Sequence, residues 1–233
     1  DFNGDGTEDI LIRQDTGTVS VWTMGSDGTA TEKSYAGRMG SDWTIEALAD
    51  FNDDGKTDIL ARNDGGAVSV WVMDGGTASE KTYAGNMSSD WDVEAIADFN
   101  GDGKEDILIR NGDGVVSVWE MDGGTASNKG YTATLRDGWE IEAVTDLTGD
   151  GKADILTRNA DGVVSAWEMD GSTATAQTYT GTLGSGWSIH ATADFNGDGS
   201  ADLLVSDGTA VSVWEMDAGG TSEKAFVGNL QDG

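Results

Sequence analysis

The chain has 233 residues, 43 acidic against 13 basic side chains and a formal net charge of −30, with no cysteine and no proline. That balance repels nucleic-acid backbones and anionic membrane surfaces, so neither is an expected partner. Without cysteine there are no disulfides or thiolate metal sites, and no apolar run approaches the roughly 18 residues a membrane-spanning helix needs.

The first element is an acidic loop, "DFNGDGTED", at 1–9. It returns as "DFNDDGKTD" at Asp50, "DFNGDGKED" at Asp98, "DLTGDGKAD" at Asp146 and "DFNGDGSAD" at Asp194. The chain is therefore five copies of one repeat, at 1–49, 50–97, 98–145, 146–193 and 194–233, making one domain. A period of this length marks stacked supersecondary units. Because the sequence opens inside a motif, it carries no information about a leader segment.

The third repeat illustrates the rest of the unit. "DILIR" begins at Asp106, a turn "NGDG" leads to "VVSVWEM" at 115–121, and "DGGTAS" leads to a weaker segment around Tyr131. A short loop then precedes "WEIEAVTD" from Trp139. These are short β-branched and aromatic runs bounded by Gly, Asn and Asp, and no stretch of 10–12 residues carries a helical stripe. Four strands per repeat predict an all-β fold, a β-propeller of five blades with four antiparallel strands and one loop per blade. "WTIEALAD"-type strands occur four times, from Trp43, Trp91, Trp139 and Trp187, whereas "VSVW"-type strands occur five times. The chain thus encodes either five blades short of one strand or an excerpt of a longer ring. The missing strand is expected from residues outside this sequence or from a neighbouring molecule, by oligomerisation or strand exchange.

Within each nine-residue loop, oxygen-bearing side chains fall at positions 1, 3, 5 and 9, and position 6 is always glycine. Position 7 varies, as expected of a residue that contributes only its carbonyl. Hard oxygen ligands at odd spacing around an obligatory glycine describe a Ca²⁺ loop. An EF-hand would instead place a bidentate Glu at position 12 and sit between helices. Here a strand comes directly after the loop, so the loop closes a β-hairpin. Mg²⁺ is the poorer fit, because it prefers few protein ligands and keeps its waters.

"DFNGDGxxD" followed by "DILIR" and "VSVWxM" resembles the FG-GAP or VCBS-type repeats, the calcium-binding blades also found in integrin α-subunit propellers and in propeller lectins. The resemblance covers nearly the whole chain. It implies five calcium sites: Asp1, Asn3, Asp5, Thr7 and Asp9; Asp50, Asn52, Asp54, Lys56 and Asp58; Asp98, Asn100, Asp102, Lys104 and Asp106; Asp146, Thr148, Asp150, Lys152 and Asp154; Asp194, Asn196, Asp198, Ser200 and Asp202. Thr148 departs from the Asn pattern, and its site is expected to be the weakest. Asp53 adds a carboxylate in the second loop. Calcium-dependent modules of this kind suit a secreted or cell-surface setting.

If positions 1 and 9 face each other, Glu46 lies opposite Arg62, Glu94 opposite Arg110, Glu142 opposite Arg158 and His190 opposite Ser206. Opposed charges on paired strands stabilise by roughly 0.2–1 kcal/mol. The tryptophans recur in every repeat and are expected to pack between blades, as are the "WxM" methionines. Tyr35, Tyr83, Tyr131, Tyr179 and Phe226 are the surface candidates. No enzyme is expected: His190 is the only histidine, and no nucleophile elbow or phosphate-cradling loop occurs. Two function classes remain. One is a secreted calcium-stabilised module that binds carbohydrate or a surface partner. The other is a structural spacer or assembly subunit, or an accessory domain of a larger polysaccharide-acting enzyme.

Overall fold

The computed structural model describes residues 1–230. Its described residues form nineteen β-strands in five antiparallel sheets, with strands that are consecutive in sequence also adjacent in the sheet. The first sheet holds β1 (Ile10–Arg13), β2 (Thr18–Met24) and β3 (Ala30–Arg38). The second holds β4 (Trp43–Ala49), β5 (Asp58–Asn63), β6 (Ala67–Asp74) and β7 (Thr77–Asn86). The third is β8 (Trp91–Ala97), β9 (Asp106–Asn111), β10 (Val115–Asp122) and β11 (Thr125–Thr134). The fourth is β12 (Trp139–Thr145), β13 (Asp154–Asn159), β14 (Val163–Asp170) and β15 (Thr173–Thr182). The fifth is β16 (Ser188–Ala193), β17 (Asp202–Ser206), β18 (Ala210–Asp217) and β19 (Gly220–Asn229). Each sheet after the first starts at a tryptophan or just past one, so the sheets are offset from the sequence repeats and the later acidic loops lie inside a sheet.

Residue type explains each strand's place. "DILA" in β5 is buried on both faces, as a continuous apolar run requires. "AVSVWVM" in β6 alternates buried and half-buried positions. β7 is an edge strand, mostly exposed, whose Ser, Glu and Lys discourage pairing with another chain. The weak segment around Tyr131 is a full ten-residue strand, β11. Its pattern is faint because an edge strand buries so little apolar surface.

The chain divides into two compact units, one comprising Asp1–Ile96, Gly103–Gly112 and Trp119–Lys129, the other Ala97–Asp102, Asp113–Val118 and the chain from Gly130 onward. In the first unit, one core gathers Phe2, Val19, Val21, Trp71 and Met73, and another Phe51, Leu60, Val70, Ile107 and Met121. In the second, Leu147, Leu156, Val164, Leu203 and Met216 play that role. Each core draws on two consecutive sheets. Trp71, Trp119, Trp167 and Trp214 are buried, as are Met73, Met121, Met169 and Met216, whereas Trp22, Trp43, Trp91, Trp139, Trp187 and Met24 are only half-buried, so the packing role expected of the whole set holds for part of it. Tyr35, Tyr83, Tyr131, Tyr179 and Phe226 are all at least 60% exposed.

The hairpin register differs from the simple rule. Ala49 pairs with Asp58, but Arg62 pairs with Thr44, because a β-bulge between Ile45 and Ala47 leaves Glu46 as the extra residue. Glu142 and His190 occupy the same bulge position in the fourth and fifth sheets. Contacts nevertheless form where the bulge residue leans across, Glu46 Oε1 lying 3.1 Å from Arg62 Nε and His190 Nε2 2.8 Å from Ser206 Oγ, and in the third sheet Glu94 lies 3.9 Å from Arg110. Arg158 faces Glu140 in register and donates to the carbonyl of Trp187 at 2.9 Å.

Candidate metal centres

Each acidic loop is built by its first aspartate. Asp1 Oδ1 accepts the N–H groups of Gly4 at 2.8 Å and Asp5 at 3.2 Å, and its Oδ2 accepts that of Gly6 at 2.7 Å. Asp50, Asp146 and Asp194 take the N–H of their own position-6 glycines at 2.7, 2.8 and 3.0 Å. Asp98 takes Gly101 and Asp102 at 2.7 and 3.2 Å. The chain can wrap a single carboxylate this tightly only with a left-handed residue at position 6, where φ is +83° at Gly6 and +78° at Gly55. These hydrogen bonds to the ionised form hold the Asp194 carboxyl below its usual range, the Gly199 amide contributing most.

Positions 3 and 5 are coupled. Asn3 Oδ1 accepts the Asp5 N–H at 2.9 Å, while Asn3 Nδ2 donates to Asp5 Oδ2 at 2.9 Å. Asn52 and Asp54 repeat this at 3.0 and 3.3 Å, and Asn196 and Asp198 at 2.8 and 2.9 Å. Thr148 instead turns its hydroxyl to Asp146 Oδ1, at a long 3.5 Å. Position 5 in turn accepts the N–H of position 7: Thr7, Lys56, Lys152 and Ser200 at 2.8, 2.9, 2.9 and 2.8 Å.

Position 9 behaves differently. Asp58, Asp106, Asp154 and Asp202 are buried. Asp58 accepts Phe51 N–H at 3.2 Å and Met73 N–H at 2.8 Å, which ties the loop's start to the end of β6. Asp9, Asp154 and Asp202 make the same pair of bonds, and Asp106 takes Met121 at 2.8 Å. Burial pushes the carboxyls of Asp58 and Asp154 up to about 6, with added repulsion from Asp54 and Asp50 on the first and Asp150 on the second. So each of these loops holds a desolvated carboxylate close to further carboxylates.

The residues expected together at each site are thus neighbours in one loop, but the structure uses their oxygens mainly as acceptors for loop N–H groups. Among the described residues, no three acidic or histidine side chains converge on a common point. The donor chemistry still fits a hard divalent cation: only oxygens are offered, and although Asp1 Oδ1 is taken up by loop N–H groups, Asp1 Oδ2 and both oxygens of Asp58 each accept one N–H and keep a second lone pair.

Two features escape a reading of the sequence alone. The position-7 lysines do more than offer a carbonyl: Lys56, Lys104 and Lys152 pair with Asp74, Asp122 and Asp170 at 2.6, 2.6 and 2.8 Å. A signal is present, since each such lysine accompanies an Asp straight after the "WxM" methionine, whereas Thr7 is matched by Gly25. Asp53, beyond its extra charge, occupies position 4 with φ +58°, where the other loops have glycine.

Neighbouring loops are bonded to one another. The carbonyls of Asp1, Asp50, Asp98 and Asp146 accept the N–H of Thr57, Glu105, Ala153 and Ala201 at 2.8, 3.0, 2.8 and 2.8 Å.

Known proteins share this arrangement of repeats. A family model described as FG-GAP-like repeat matches residues 1–61, 50–109, 98–157 and 146–205. The chain is also similar in fold to a structure of the Photorhabdus luminescens Tc holotoxin pore, with a TM-score of 0.56 and 17% sequence identity, covering 100% of this chain and 12% of that one. No curated protein matches.

Proposed function

Since the chain belongs to the FG-GAP-like repeat family, we propose that it is an exported, calcium-stapled β-propeller module, its sheets serving as blades, that binds carbohydrate or a surface partner. The observation that supports this most is the buried position-9 carboxylate held close to other aspartates, with its carboxyl pushed up to about 6 at Asp58 and Asp154. A group in that state gains most from a neutralising cation. Side chains at positions 1, 3, 5 and 9, with the position-7 carbonyl, would hold the ion, and Ca²⁺ would supply charge neutralisation and cross-linking of the loop. The exposed side chains of Asp5, Asp54 and Asp198 would turn inward, exchanging the position-3 amide bond for the ion. Up to five ions would lower the net charge from −30 to about −20. Extracellular calcium modules bind at roughly 10⁻⁴–10⁻³ M, which suits an exported protein.

Repetition of the unit favours multivalent recognition, and the exposed tyrosines on the edge strands are its candidate contacts. A second reading, a spacer or assembly subunit or an accessory module of a larger polysaccharide-acting enzyme, is favoured by how alike the repeats are, since equivalent residues mostly pack sheet on sheet. A glycan array run in Ca²⁺ and in chelator separates the two. Calcium-dependent binding supports the module, and no bound glycan in either condition favours the spacer.

A further inference from the structure

The last strand of each sheet meets the following sheet at two points, and both follow one rule except between the third and fourth sheets. At the first point a hydroxyl residue stands against glycine. A Cβ added at Gly76 would sit 3.1 Å from Ser34 Cβ, one at Gly124 would sit 2.5 Å from Thr82 Oγ1, and one at Gly220 would lie 3.6 Å from Thr178 Cγ2. At the second point a glycine leaves room for the following sheet's lysine, which lies over its own tryptophan. Lys81 Nζ is 3.1 Å from the Trp71 ring centroid, Lys129 3.7 Å from Trp119 and Lys224 3.4 Å from Trp214. A Cβ at Gly37 or Gly85 would collide with Lys81 or Lys129 Nζ, and one at Gly181 would sit 2.7 Å from Lys224 Nζ.

Between β11 and the fourth sheet both pairs are exchanged. Gly130 stands where Ser34 and Thr82 do, and Ser172 where Gly76 and Gly124 do. A Cβ at Gly130 would collide with Ser172 Oγ and Cβ. The turn changes with the residue: φ is positive at both Gly75 and Gly76 and at both Gly123 and Gly124, but at Gly171–Ser172 only the glycine has it. The serine therefore carries no left-handed strain. At the second point Ala133 replaces the glycine, and Gln177, opposite Trp167, replaces the lysine. By the geometry of the other interfaces, the Ala133 methyl fills the place over Trp167 that an ammonium takes elsewhere. The far sides of the same two sheets keep the common pattern, with Gly124 and Lys129 on the third and Thr178 and Gly181 on the fourth. All four departures meet at one interface, each offset by its partner.

We propose that this interface is a matched lock that fixes the order of the sheets and rejects any other sheet, whether of the same chain or of a second copy. Repeats this alike risk slipped or exchanged pairing as they fold, a hazard of repeat proteins. The hydroxyl of Ser34 or Thr82 would overpack against Ser172. The Ala133 methyl would push the lysine of any sheet but the fourth off its tryptophan, forfeiting the cation–π contact. None of the four residues lies in an acidic loop, so the lock is independent of calcium.

The test uses the intact chain. Gly130→Thr should lower the melting temperature by at least about 3 °C, and adding Ser172→Gly should recover most of that loss, which an uncoupled pair would not do. If Gly130→Thr alone does not fold, the double variant should still melt near wild type. The fourfold variant Gly130→Thr, Ala133→Gly, Ser172→Gly and Gln177→Lys gives this interface the residues of its neighbours. It should melt within about 2 °C of wild type. Refolded from denaturant at high protein concentration, it should nonetheless leave at least about twofold more exchanged oligomer on size-exclusion chromatography. No recovery on adding Ser172→Gly, or refolding of the fourfold variant as clean as that of wild type, overturns the proposal.

Discussion

The second and fifth acidic loops share nearly the same sequence but not the same surroundings. Phe51 in the second is fully buried, whereas Phe195, its counterpart, is 49% exposed. The carbonyl of Asp50 accepts an N–H from the next loop along the chain, while no later loop succeeds 194–202 among the described residues. Yet Asp58 and Asp202 make the same two backbone hydrogen bonds. The loop's internal wiring is thus local, set by nine residues. The burial of its aromatic residue comes from the next repeat, as in other stacked-repeat architectures.

The contrast is sharpest at the aromatic position. Phe51→Ala should cost about 3–5 kcal/mol, since it empties a closed core, and Phe195→Ala less than about 1 kcal/mol. Chemical denaturation of both variants checks this, and equal costs would erase the distinction between the loops.

A smaller effect separates the loops by pH. With the Asp58 carboxyl at about 6 in the metal-free fold, above the ordinary value near 4, the native state keeps a proton that the unfolded chain loses. That stabilisation is complete below about pH 4 and disappears as pH rises through 6. The chelator-treated protein should therefore melt at lower temperature at pH 7 than at pH 5, and Asp58→Asn should flatten the slope. Calcium bound as proposed would displace the same proton, so a calcium-induced rise in melting temperature should shrink as pH falls below 6.

Next in size comes position 3 of the fourth loop. Thr148→Asn restores the amide that elsewhere bonds to position 5, and under the proposed calcium reading calorimetry should show the fourth loop's site tightening by a few fold. Smallest is Asp53→Gly, which removes a non-glycine residue at φ +58° and one negative charge and should stabilise the metal-free protein by at most about 1 kcal/mol. An unchanged melting temperature would show that Asp53 is unstrained there.

Much of this is legible in the sequence because period-two runs such as "AVSVWVM" and a glycine-centred acidic loop encode local structure directly. The register is not, because a bulge at Glu46 moves Arg62 opposite Thr44 and leaves no mark in composition. Nor is the full extent of β11, whose polar face resembles loop. The Lys56–Asp74 pair and the Lys81–Trp71 stack join residues apart in sequence, and they emerge only when repeats are compared position by position. That comparison is also what makes Gln177 and Ala133 stand out.

The most direct test of the account is thermal melting of the chelated protein across a calcium series, with magnesium as control. The melting temperature should rise steeply as calcium passes roughly 10⁻⁴–10⁻³ M, with each site adding about 2.7 kcal/mol at a hundredfold excess over its Kd, while magnesium does little. A melting temperature indifferent to chelator and to calcium would contradict it.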